Sequence, residues 1–216
     1  MKEISLQYIS QGDTPEKHLE NITKVCQAGG RWIQLRLKNT DMGASLATAI
    51  KCREICDQYE AIMIVNDQVS IAQAAKADGV HLGLEDMNPT EARAILGDNY
   101  IIGGTANTLE DCIQHSKNGV DYIGLGPFRF TITKEKLSPV LGTEGYTEIL
   151  SELQQRHIET PVVAIGGILE KDIPNLLETG ITGIAVSGML TNQEGDDIKE
   201  KIENIKNTFR LKQWIH

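Results

Sequence analysis

The chain has 216 residues, 40% hydrophobic and 24% charged, which is enough apolar mass to bury a core and too much for a disordered chain. Its 21 Lys and Arg against 30 Asp and Glu give a formal net charge of -9, which argues against a general nucleic-acid binder or a ligand of anionic membrane surfaces. No apolar run approaches the ~20 residues that span a bilayer, and Met1 to Leu6 lacks the apolar block of a signal peptide, so the sequence reads as a cytoplasmic protein with one domain over 1–216.

Short runs rich in Ile, Val and Leu recur along the chain, each followed by a longer stretch with helical spacing. In chain order the predicted pairs are Ile4 to Ile9 with Pro15 to Ala28, Trp32 to Leu37 with Gly43 to Tyr59, Ile62 to Val65 with Val69 to Ala77, and Gly79 to Leu82 with Pro89 to Leu96. Then come Tyr100 to Gly103 with Leu109 to Lys117, Tyr122 to Leu125 with Glu144 to His157, Val162 to Ile165 with Glu170 to Glu178, and Gly183 to Val186 with Glu194 to Leu211. Strict alternation implies parallel strands, because each parallel return needs a crossover long enough to hold a helix. Eight such units predict an α/β fold, the closed eight-stranded parallel (β/α)8 or TIM barrel. A doubly wound open sheet fits less well, since no GxGxxG follows the first strand, only Ser10 to Pro15. Small-residue turns such as Ala77-Asp78-Gly79 and Thr179-Gly180 precede several strands, where Gly is expected to cap a helix in the left-handed conformation. Cys26, Cys52, Cys56 and Cys112 have no zinc-type CxxC pairing and read as small buried hydrophobes.

The second predicted strand alternates, with Ile33, Leu35 and Leu37 on one side and Gln34, Arg36 and Lys38 on the other. In a closed barrel both faces are covered, so two inward cations and an amide need partners; at the carboxyl end of a strand they suit a phosphorylated small-molecule substrate. Asn66-Asp67 ends the third strand and Gly83 to Asp86 follows the fourth. Asp67 and Asp86 there can share one hard cation, Mg2+, that keeps waters and takes further oxygens from a diphosphate, with Glu85 as a competing ligand and helix capping as the alternative role. The long connection after the sixth strand, Pro127 to Gly142, carries Arg129, Thr131, Thr133, Lys134 and Lys136; it reads either as a lid on which Thr131, Thr133 and Lys134 offer donors matched to phosphate oxygens or as an ordinary solvated basic loop. Gly166-Gly167 after the seventh strand and Ser187-Gly188 after the eighth fall where eightfold barrels bind phosphate through backbone N–H groups. Among the 5 histidines only His81 falls within a predicted strand, either as a hydrogen-bonded barrel residue or in a direct role.

These segments together resemble one family. Gln34-Leu35-Arg36-Leu37-Lys38, Asn66-Asp67, Ala77 to Gly83 with Asp86, Gly124-Leu125-Gly126-Pro127 followed by Thr131 to Lys134, and Ala164 to Ile168 are similar, in order over essentially the whole chain, to thiamine phosphate synthase. The resemblance implies an eightfold barrel that joins a hydroxymethylpyrimidine diphosphate to a thiazole phosphate and releases diphosphate with Mg2+ bound. It implies that Gln34, Arg36, Lys38 and Asn66 hold the pyrimidine diphosphate with Lys134, and that Asp67 and Asp86 ligate the metal. Thr131, Thr133, Gly167, Ser187 and Gly188 would hold the thiazole and its phosphate. Thr105 stands where the family uses a serine. Leu84, Asn107 and Gly188 depart from the family's usual Gln, His and Ser. A thiazole isomerase and a non-catalytic phosphate-binding barrel of the same fold are the rival readings, and Phe209, Leu211 and Trp214 of the tail either close the barrel floor or meet another subunit of a homo-oligomer.

Overall fold

The computed structural model of the chain describes residues 5–130 and 140–213. Strands β1 (Leu6–Ile9), β2 (Trp32–Leu35), β3 (Ile62–Asn66), β4 (Gly79–Leu82), β5 (Ile101–Ala106), β6 (Tyr122–Leu125), β7 (Val162–Ile165) and β8 (Gly183–Val186) form a closed barrel in chain order. Every neighbouring pair is parallel, and β8 closes the ring on β1 through Leu6 opposite Ile184 and Tyr8 opposite Val186. Around it lie α1 (Pro15–Gln27), α2 (Met42–Gln58), α3 (Val69–Ala74), α4 (Pro89–Leu96), α5 (Leu109–Lys117), α6 (Gly142–Gln155), α7 (Ile173–Glu178), α8 (Gly188–Thr191) and α9 (Asp196–Gln213). The (β/α)8 expectation therefore holds.

The apolar residues divide by strand parity. Ile9, Trp32, Ile64, Tyr122, Val163 and Ala185 fill the inside of the barrel, while Tyr8, Leu35, Val65, Ile102, Leu125 and Ile184 face outward into the layer under the helices. This is the side-chain period of two read on a sheet covered on both faces.

Three local predictions are corrected. The second strand ends at Leu35, not Leu37, because the Arg36 N–H is taken by the Ser10 hydroxyl at 3.0 Å instead of a ladder carbonyl, so Arg36 and Lys38 lie beyond the strand. The predicted helix Glu170 to Glu178 divides into a 3-10 turn over Glu170–Asp172 and then α7, whose Pro174 has no N–H to extend the turn. Gly79 is not a left-handed cap; Lys76 takes that conformation with φ 53°, and Gly79 is there because a Cβ would lie 2.1 Å from the Ile101 carbonyl oxygen.

The same turns carry a repeated device at the floor of the barrel. Asp78 accepts the Met63 N–H and the Arg53 guanidinium, both at 2.6 Å. Asp121 accepts the Ile102 N–H and the Arg93 guanidinium, both at 2.7 Å. Each aspartate thus ties a strand entry to an arginine from the preceding α-helical layer. Asp78→Ala strips Met63 and Arg53 of their partner and is expected to cost about 1–3 kcal/mol in urea unfolding, with the rim chemistry unchanged. A loss too small to measure would show that the pair contributes nothing.

Candidate active site

At the carboxyl ends of the strands the chain turns from apolar to polar. Asn66 closes β3 inside the barrel, in register with His81 of β4. Asp67 follows in the left-handed region with φ 65°, its N–H donated to the His81 carbonyl at 2.8 Å. A non-glycine residue held there is a constraint that Asp and Asn tolerate best. Asp86, on the turn after β4, accepts the Gly83 N–H at 2.6 Å, which fixes its carboxylate on the same side of the rim.

The two carboxylates meet. Burial first, and then the hydrogen-bonding and charge of Asp86, push the Asp67 carboxyl up to about 6, against the opposing pull of Arg36 and Lys38. Arg36 is half-buried, and desolvation draws its guanidinium down while Asp67 holds it up. The structure therefore brings Arg36, Lys38, Asp67 and Asp86 into one electrostatic group. Glu85 is exposed on the same turn, and the carboxylate that faces Asp67 is that of Asp86. Among the described residues no three His, Cys, Asp or Glu gather as a self-sufficient metal centre. A pair of carboxylates suits a hard cation that keeps its own waters, such as Mg2+, better than zinc.

Arg36 is placed by residues that sequence reasoning did not single out. The Ser10 hydroxyl that holds its N–H also hydrogen-bonds His18 Nδ1 at 2.8 Å, and both Ser10 and His18 are buried. Gln34 is buried inside the barrel, donating to Gln7 Oε1 at 3.1 Å, and Gln7 in turn donates to the Tyr122 phenol at 3.2 Å. The phenol reaches His81 Nδ1 at 3.0 Å, and His81 Nε2 reaches the Thr105 hydroxyl at 3.0 Å. Gln7 and Tyr122 sit in runs that read as plain core, and only their inward parity could have marked them.

The two glycine loops that the sequence assigns to phosphate also follow the strand ends at the rim. Gly166 and Gly167 both have positive φ, and Ser187 donates to Gln11 Oε1 at 3.2 Å just before Gly188 opens α8. Arg129 does not stand on a lid as a spare cation. It makes a two-pronged ion pair with Asp172 at 2.9 and 3.1 Å and also donates to the Gly167 carbonyl, so it braces the loop after β7. Asn107 is buried and donates to the Ala106 and Gly126 carbonyls, a structural tie between β5 and β6. Thr131, Thr133, Lys134 and Lys136 lie outside the described residues, as does Trp214.

Comparison with known proteins decides what this rim belongs to. The family described as thiamine monophosphate synthase matches residues 6–190. The chain belongs to that family. A thiamine-phosphate synthase of Flavobacterium johnsoniae is 55% identical over 200 residues, 93% of each chain. Another, of Bacteroides thetaiotaomicron, is 47% identical over 208 residues, 96% of this chain and 100% of that one. Among solved structures, a thiamine phosphate pyrophosphorylase from Pyrococcus furiosus superposes with a TM-score of 0.81 at 30% identity, covering 95% of this chain and 96% of that one. Membership of the thiamine monophosphate synthase family makes the chain a transferase of thiamine biosynthesis. No helix among the described residues is long and apolar enough to cross a membrane.

The repelling pair has a consequence for stability in this family member. With the folded-state Asp67 carboxyl raised to about 6 from an ordinary 3.8, ionising it costs the fold stability: the cost is absent below pH ~4 and fully present above pH ~6. Asp67→Asn removes the charge and suits the left-handed backbone. In EDTA it should raise stability by about 1–2 kcal/mol at pH 8, some 2–6 °C in Tm, and the gain should vanish by pH 4. A loss at pH 8, or a gain independent of pH, would refute the placement of the two carboxylates.

Proposed function

We propose that the chain condenses 4-amino-2-methyl-5-(diphosphooxymethyl)pyrimidine with a thiazole phosphate to give thiamine monophosphate and diphosphate. The observation that carries this reading is the pair Asp67 and Asp86, pressed together beside Arg36 and Lys38 at the strand ends. Two carboxylates beside two cations are the complement of a metal-bound diphosphate. Asp67 and Asp86 would hold Mg2+, which supplies charge neutralisation to the departing diphosphate.

The rest follows from the side chains. Arg36 and Lys38, joined by Lys134, face the negative charge that grows on the leaving group as the bond from the methylene carbon to oxygen lengthens. The methylene cation is stabilised by its own aminopyrimidine, and the thiazole nitrogen donates the electron pair that forms the new carbon to nitrogen bond. No protein nucleophile is needed. Gln34, Asn66 and Thr105 hold the pyrimidine half, while Thr131, Thr133, Gly167, Ser187 and Gly188 take the thiazole phosphate, with backbone N–H groups of the glycine loops as donors. An isomerase acting on the thiazole alone would have no use for a strained carboxylate pair.

The test is a coupling assay with the two phosphorylated heterocycles. Activity should require Mg2+ and stop in EDTA. Asp67→Asn should lose about 100-fold or more in rate while its fold is stabilised; full activity without a divalent ion would contradict the reading. Lys38→Ala should weaken the pyrimidine diphosphate about tenfold, the value of one charge-assisted contact, and the thiazole phosphate much less. Calorimetry showing the reverse would overturn the assignment of Lys38.

A further inference from the structure

The hydrogen-bonded chain beneath the rim has a direction, and the direction can be read. Tyr122 is fully buried, and its oxygen receives the Gln7 amide N–H at 3.2 Å, while Gln34 donates to Gln7 Oε1 at 3.1 Å and so fixes which end of the Gln7 amide faces the phenol. A phenol has one proton to give. Gln7 can only donate to the phenol through its N–H, so the buried phenol proton goes to His81 Nδ1 at 3.0 Å. A neutral imidazole that accepts at Nδ1 carries its proton at Nε2. His81 Nε2 therefore donates to the Thr105 hydroxyl at 3.0 Å, and Thr105 keeps its own proton for another partner.

We propose that His81 and Tyr122 are positioning residues that fix the Thr105 hydroxyl as a hydrogen-bond donor to a lone-pair acceptor on the bound substrate. The inference rests on the coupling reading for the substrate's place at the rim, and it adds how this chain's interior sets the polarity of one contact. Thr105 is the half-buried end of an otherwise buried relay, so the polarity chosen inside the barrel is delivered at its mouth.

Two glycines and a second histidine show that the arrangement is built around Thr105. A Cβ on Gly103 would lie 2.2 Å from Tyr122 Cζ and 2.5 Å from His81 Nδ1, so the phenol and imidazole meet only because β5 carries no side chain there. On the outer face, a Cβ on Gly104 would lie 2.6 Å from the His115 ring, and His115 Nε2 donates to the Thr105 carbonyl at 2.7 Å. One residue is thus held by its hydroxyl from inside the barrel and by its carbonyl from outside. A purely structural filling of the core would need neither the phenol oxygen nor the imidazole, since buried polar groups stabilise only when every partner is supplied.

The test reads the proton first. In the full chain labelled with 15N-histidine, the His81 signals, assigned by their loss in His81→Asn, should show a neutral ring protonated at Nε2. In Tyr122→Phe, which keeps the ring and loses the proton donor, His81 should become a mixture of tautomers. Tyr122→Phe and Thr105→Ala should each raise KM for the pyrimidine substrate about fivefold. The double variant should be no worse than either alone, with Thr105→Ser restoring the contact. A His81 protonated at Nδ1 in the unmodified protein, or effects that multiply in the double variant, would overturn the proposal. Should Tyr122→Phe fail to fold, the tautomer in the unmodified protein decides. A protein that fails to couple the heterocycles yet has His81 protonated at Nε2 overturns the coupling reading and leaves the relay supported.

Discussion

Two carboxylates brought together in a half-buried place repel unless a proton or a cation lies between them, and the rim of this barrel is arranged to maintain that conflict. Asp67 is held in a left-handed backbone conformation by its N–H to the His81 carbonyl, and Asp86 is pinned by the Gly83 N–H. Burial first and then Asp86 raise the Asp67 carboxyl to about 6, and Arg36 and Lys38 oppose the rise without cancelling it. An ionised carboxylate that is costly to hold in this place is one that an entering cation would favour, and a site of this kind gives up stability to gain affinity.

Such a rim requires a rigid support, and the barrel supplies it in two layers. Outside, the buried apolar faces of the strands pack under the helices. Inside, Trp32, Ile64 and Val163 pack in one cluster with Tyr122, and Gln7, Gln34, Tyr122 and His81 form a polar network among them, each with a partner. The network holds the half-buried Thr105 in place at the mouth. Ser10 and His18 perform the same task for Arg36, and Arg129 with Asp172 for the loop after β7.

The order of elements was legible because the chain switches between a period of two and a period of 3.6 at every crossover, and apolar residues follow both. The rim carboxylates were legible because the barrel topology places strand ends on one side, whatever the details. The features that the sequence does not reveal depend on distant partners. The strand holding Gln34 stops early because of a hydroxyl 26 residues away in sequence. Arg129 looked like a lid cation because its partner Asp172 is 43 residues further on. Tyr122 looked like core, and by burial it is core; its function lies in one oxygen whose contacts come from other strands. Gly79 was read as a turn residue, although its reason is the approach of the next strand.

The carboxylate conflict can be observed without any substrate. The 13C signal of the Asp67 carboxyl, followed through a pH titration with and without Mg2+ and inorganic diphosphate, reports the pair itself. A midpoint near 6 in the metal-free protein that falls below the ordinary carboxylate range when the ion and diphosphate are added is the predicted result. A midpoint near the ordinary value of 3.8, unmoved by the ion, would mean that Asp67 and Asp86 do not face one another and that the site has been misplaced.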